Sequence, residues 1–328
     1  MRAFSFSANQ MAALIGLAAF AAFSVHDVVI KSLGGIYSPF QILFFGALLS
    51  FPIMTIVLMR DPKPGTLRPV HPWWVALRSI SGSVSALSAF YAFSALPLSQ
   101  VYAVIFASPL MITVLAIPML GEKVGLHRGA AVLVGLGGVL IVLQPGAAEL
   151  EAGHAAALLC AATGALNSII VRKIGREERS AVMILYPMLT NLAVAAAILP
   201  FVYVPVPLAD LGQFAVISAL VLAAMGMLIA AYARGDAIIV APMQYSQIIW
   251  AALFGALLFN EYPEWNTYAG TAVIVLSGLY ILMRENTGSS QNTPVLKTRT
   301  RAGFAAGLRV GIILRRRRKA REAAKRQG

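Results

Sequence analysis

Asp27 is the one acid among thirteen that falls inside a long apolar segment of this 328-residue sequence. It sits in HDVVIKSLG, His26 to Gly34, with a histidine before it and Lys31 one helical turn after it. An ionised carboxylate in hydrocarbon costs ~2.5 kcal/mol or more on insertion scales, so its position asks for a function. Desolvation raises the proton affinity of a carboxylate, and imidazole titrates near neutral pH. The pair therefore has the chemistry to take up and release a proton inside an apolar barrier. The alternative is structural: Asp27 and Lys31, at i and i+4, form an ion pair at the helix rim worth a few tenths of a kcal/mol. His26 is then a packed, hydrogen-bonded neighbour.

Other polar groups stand in apolar runs at spacings that gather them on one helix face. Arg78 shares a face with Ser81, Ser85 and Ser88, at i+3, i+7 and i+10. It either contacts an anion or a ring at the inner mouth of a cavity, or it snorkels beside Trp73 and Trp74. Gln244, Gln247 and Ala251 line another face, with Tyr245 and Trp250 close by and Pro242 loosening the helix before them. An unsatisfied amide in hydrocarbon costs several kcal/mol, so these glutamines either bind a solute or tie helices together. Tyr102, Phe106 and Pro109 make a matching aromatic stripe, and Tyr91 and Asn191 are secondary candidates. No metal site is expected, because the four histidines are scattered and Cys160 stands alone as a small packing residue. No cofactor is expected, and no phosphate-cradling Gly-x-x-x-x-Gly-Lys-Ser/Thr loop is present.

The elements that must position these groups follow from composition. The chain is 59% hydrophobic and 12% charged, with mean hydropathy +0.78, more apolar surface than a soluble domain of this length can bury. Crossing ~30 Å of hydrocarbon takes about 20 mostly apolar residues. Ten segments qualify: 9–30, 38–59, 73–94, 99–120, 127–144, 153–172, 180–202, 212–233, 238–259 and 266–284. The first reads as a retained helix, not a signal peptide, since its apolar run passes any cleavage motif. With a cytoplasmic N-terminus, the inner segments hold twelve Lys and Arg before the tail and the outer loops hold Lys31 alone. That asymmetry places both termini in the cytoplasm.

The opening motif recurs. NSIIVRKIG, Asn167 to Gly175, repeats HDVVIKSLG at an offset of 141, pairing Lys31 with Arg172 and Gly34 with Gly175. GEKVGLHRGAAVLVGLGGVLIVL likewise resembles NEYPEWNTYAGTAVIVLSGLYIL, with Glu122 on Glu261, Gly129 on Gly270 and Gly137 on Gly278. Several anchors in one order at nearly constant separation indicate an internal repeat. Five spans per copy make the repeat inverted, the architecture of alternating-access carriers with a midplane site. The expected fold is thus an all-α membrane protein of ten transmembrane helices in two inverted five-helix repeats, residues 1–146 and 147–285. Where copy one has His26-Asp27, copy two has Asn167-Ser168. The scaffold persists there while the charge does not, so Asn167 joins the candidate site.

Ten spans, the five-plus-five repeat and the Gly-Glu after the fourth span resemble the drug/metabolite transporter superfamily in its EamA-type branch. ALPLSQVYAVIFASPL running into PMLGEKVG carries the likeness in the first half, and IVAPMQYSQIIWAALFGALLFNE carries it in the second, where Asn260 replaces the Gly. The resemblance spans roughly residues 9–285. It implies a basket of helices around a central cavity lined by spans 1, 3, 4, 6, 8 and 9, with spans 5 and 10 further out. It also implies solutes of the riboflavin, S-adenosylmethionine, amino-acid or drug kind.

Residues 286–328 hold twelve of the 26 basic residues and read as a disordered or interfacial tail drawn to anionic lipid. Phe304, Leu308 and Ile312 repeat there at i+4, and no fold supports nucleic-acid binding. The expectation is a non-enzymatic inner-membrane transporter, monomer or homodimer, moving a small organic metabolite such as a planar heterocycle. An exporter of amino acids or drugs, a channel-like scaffold and a membrane-embedded lipid-modifying transferase are the rivals.

Overall fold

The computed structural model describes residues 8–59, 66–122, 124–145, 151–175, 177–235 and 237–287. The basic tail with its expected interfacial helix, and Arg176 among the inner basic residues, lie outside them. Among the described residues every regular element is helical: α1 (Ala8–Gly34), α2 (Pro39–Met59), α3 (Pro72–Ala95), α4 (Leu98–Ile105), α5 (Ser108–Leu120) and α6 (Leu126–Leu143). Then follow α7 (Ala152–Ile174), α8 (Ser180–Val202), α9 (Leu208–Arg234), α10 (Ala237–Val240), a 3-10 turn (Ala241–Tyr245), α11 (Ser246–Phe259) and α12 (Trp265–Thr287).

Six of these stretches are long and apolar enough to cross a bilayer: α1, α4 with α5, and α6 to α9. Two of the other expected spans fall short for local reasons. Five buried serines and Arg78 dilute α3, and the 3-10 turn leaves α11 only 14 residues. Leu133, Ile249, Leu257 and Leu276 are exposed on the outer surface, as suits a multi-pass protein whose solvent there is lipid.

The fourth expected span is broken. Pro109 has no N–H to give, so α4 ends at Ile105 and Ala107 bonds back to Val104 at 3.0 Å before α5 restarts with proline in its first turn. The ninth is broken too, where Pro242 opens the 3-10 turn. Each interrupted span ends in the same cap. Gly121 (φ 70) and Asn260 (φ 54) both adopt the left-handed conformation that glycine and asparagine tolerate. The following Glu122 and Glu261 then bond back to Ala116 O (3.3 Å) and Gly255 O (2.9 Å), each six residues earlier. The Gly-to-Asn difference between the two sequence motifs is therefore conformationally neutral.

Helix α1 packs on α9 and α7 packs on α3, while α2 meets α8, α6 meets α12 and α4 meets α11. Exchanging α1 with α7, α3 with α9 and the interrupted spans with each other leaves this set unchanged. The α6–α12 contact is a backbone seam. A Cβ on Gly138 would meet Gly270 O at 2.8 Å, and a Cβ on Gly270 would meet Gly138 O at 2.5 Å. No described side chain of either helix lines the interior cavity.

Candidate functional site

Helices α1 and α4 meet at Asp27. His26 Nδ1 lies 2.7 Å from Asp27 Oδ1, and the Tyr102 hydroxyl donates to Asp27 Oδ2. Gln247 Nε2 in turn donates to the Tyr102 oxygen at 3.3 Å. One hydrogen-bonded chain thus joins helices from both halves of the sequence. The i to i+4 ion pair between Asp27 and Lys31 does not form. Lys31 Nζ reaches Glu261 Oε1 at 2.8 Å and the Leu96 carbonyl at 2.6 Å, because Gly34 lets the end of α1 press against α3. Asp27 is left to face the cavity.

That cavity has two lobes that share His26, Phe90, Val221 and Met225 as walls. The first holds about 900 Å³ of empty space, its mouth included, and is lined by Asp27, Tyr102, Phe106, Gln244 and Gln247 among others. Its walls are aromatic. Phe93, Tyr102, Phe106 and Tyr245 follow one another with ring centroids 5.3–5.9 Å apart, and Phe90 lies 6.4 Å from the His26 ring. Aromatic pairs at such spacings contribute beyond their area burial and hold a rigid face. The second lobe lies toward the helix ends where α3 and α8 begin. Arg78, Asn191, Ser50 and Ser218 are its polar groups.

Eight sequence candidates border these lobes: His26, Asp27, Arg78, Tyr102, Phe106, Asn191, Gln244 and Gln247. The remaining four do not. Tyr91 is 42% exposed on the far side of α3, and Trp250 stacks on Phe254 at 6.0 Å. Tyr245 acts from behind, edge-on to Phe106. Asn167 is buried against Gly82 with neither amide atom hydrogen-bonded. Snorkelling is also excluded for Arg78, which is only 2% exposed and lies under α8 with Nη1 donating to the Met183 carbonyl.

Sequence reasoning missed Phe90 and Phe93, though both extend the Gly82, Ser85, Ala86 face of α3 at helical spacing. Cys160, read as packing, closes the first lobe beside Ser85. Helices α2 and α8, absent from the expected lining, wall the second lobe.

At the two extremities of the molecule, equivalent residues pair crosswise. Lys31 of the first half holds Glu261 of the second, and Arg172 of the second half holds Glu122 of the first. Glu261 Oε2 also accepts from Leu98 N at 3.3 Å, and Lys173 Nζ donates to Met119 O at 3.0 Å.

Comparison with known proteins gives a consistent picture. The model of the EamA-like transporter family matches residues 10–144 and again 151–283. An S-adenosylmethionine uptake transporter of Rickettsia bellii is 25% identical over 268 residues, covering 82% of this chain and 92% of that protein. A riboflavin transporter of Rhizobium johnstonii is 28% identical over 225 residues, 67% and 73% of the two chains. A solved crystal structure with 20% identity superposes at TM-score 0.53 over 83% of this chain and 98% of the other, a likeness of fold.

Proposed function

The chain belongs to the EamA-like transporter family, and from that premise we propose that it carries a small organic metabolite across the inner membrane by alternating access. The observation that carries this reading is the aromatic cavity in which α1, α4 and α11 meet through His26, Asp27, Tyr102 and Gln247. Ten spans form two inverted repeats, 1–146 and 147–285, with both termini cytoplasmic and the 286–328 tail on anionic lipid. The crosswise ion pairs support the inversion, since each copy contributes its helix-end cation at one extremity and its Glu at the other. The substrate is a planar heterocyclic solute, in keeping with the names of the Rickettsia and Rhizobium relatives.

Asp27 is the proton-coupling group. Its carboxylate has two protein partners and faces the cavity, so protonation changes the hydrogen bonds at the solute site itself. The test is counterflow in proteoliposomes of the purified chain, using S-adenosylmethionine and riboflavin. Saturable exchange of labelled for unlabelled solute is expected. Linear, non-saturating flux would make the protein a channel, and chemical conversion of the solute or of lipid would make it an enzyme.

A further inference from the structure

Arg78 is the least explained charge in the interior. It is 2% exposed, projects into the second lobe and forms no ion pair among the described residues. Its Nη1 donates to the Met183 carbonyl, but its buried Nε has no hydrogen-bond partner. A carbonyl oxygen does not neutralise a guanidinium, and an uncompensated buried charge is strongly destabilising. Cations held inside membrane helices face partners or cavities that serve a pathway. The rest of the lobe supplies no acid. Its polar lining is His26, Ser50, Asn191 and Ser218. Ser83 donates to Asn191 Oδ1 at 2.5 Å, which leaves the Nδ2 donors of that amide unspent. The lobe therefore presents one positive charge and neutral donors to whatever enters it.

The lobe beyond His26 has the opposite character, with the Asp27 carboxylate inside an aromatic wall. A cavity cationic at one end and anionic at the other selects a solute with the reverse arrangement. We propose that Arg78 binds a carboxylate of the transported solute, whose cationic or electron-poor ring portion lies against Asp27, Phe90, Phe93 and Phe106. This rests on the transport reading and narrows its substrate class to a zwitterion. A single guanidinium offers two parallel N–H donors, which match the two oxygens of a carboxylate. One positive charge balances one carboxylate, whereas a phosphate dianion would enter with its second charge unmatched.

The test uses S-adenosylmethionine and its decarboxylated analogue as a matched pair, with riboflavin as the uncharged reference. Counterflow is measured in proteoliposomes of wild type, Arg78→Lys and Arg78→Gln. In wild type the carboxylated member should exchange with the lower KM. Arg78→Gln should raise that KM about tenfold, the loss of roughly one charge-assisted contact, while moving the KM of the decarboxylated analogue less than about twofold. Arg78→Lys should fall between. Unchanged handling of the analogue also reports that the variant is folded. Equal loss for both members of the pair would make Arg78 a tether for Met183 and overturn the assignment. Wild type that exchanges riboflavin but neither member of the pair would overturn it too and leave transport standing. No exchange of any of the three would overturn both.

Discussion

The ends of α1 and α7 began as one sequence motif, and the molecule treats their two parts differently. At the extremity, Lys31 and Arg172 do the same thing: each reaches a glutamate held by a left-handed cap of the other half. One turn deeper, His26-Asp27 face a cavity and join Tyr102, while Asn167 is shut against Gly82 and Ser168 bonds to its own helix at Gly164 O, 3.0 Å away. The repeat is kept where it holds helices together and broken at the wall of the cavity.

The interior half of that comparison carries the largest expected effect. Asp27→Asn should abolish accumulation driven by a pH gradient yet spare exchange of labelled for unlabelled solute, because exchange moves no net proton. Retained accumulation in the variant would show that the broken symmetry serves binding only. Next come the extremities. Lys31→Ala and Arg172→Ala should each lower stability by about 1–2 kcal/mol, less than the roughly 3–5 of a fully buried pair, since the glutamates are 23% and 24% exposed. Reversing a pair, Lys31→Glu with Glu261→Lys, should recover most of the loss in Tm. A cost at only one extremity would break the equivalence.

Within the ninth span, Gln247→Ala should raise KM severalfold, whereas Trp250→Ala should leave KM unchanged because its ring stacks outside the cavity. Equal kinetic effects would move the boundary of the site. The smallest effects concern the caps. Gly121→Ala should cost about 1 kcal/mol for the left-handed conformation, while Asn260→Gly should shift stability by only a few tenths, read in both cases by thermal unfolding.

Hydropathy made the helical membrane architecture legible, and the broken repeat singles out Asp27 in the sequence alone. Other features required the fold. The i to i+4 rule sees partners only on the same helix, so it offered Asp27 to Lys31 and had no view of Glu261 across the molecule. Gln244 and Gln247 share the cavity side across the 3-10 turn at Ala241–Tyr245, but within α11 Trp250 stands about 60° round the helix from Gln247 at about 100° per residue, and its ring stacks on Phe254. On α3 Phe90 takes the inward position, so the next residue, Tyr91, turns outward. The orphaned Nε of Arg78 is a property of its surroundings that no spacing in the sequence encodes.

The glycine seam between α6 and α12 has a consequence for mutational surveys. A methyl group on Gly138 or Gly270 would press on a carbonyl oxygen of the opposite helix, with no side chain able to turn aside. A library of single substitutions selected for solute transport should be as depleted at these two positions as at Asp27. A map of intolerance would then mark two separate places in the molecule, and solute would ever visit only one of them.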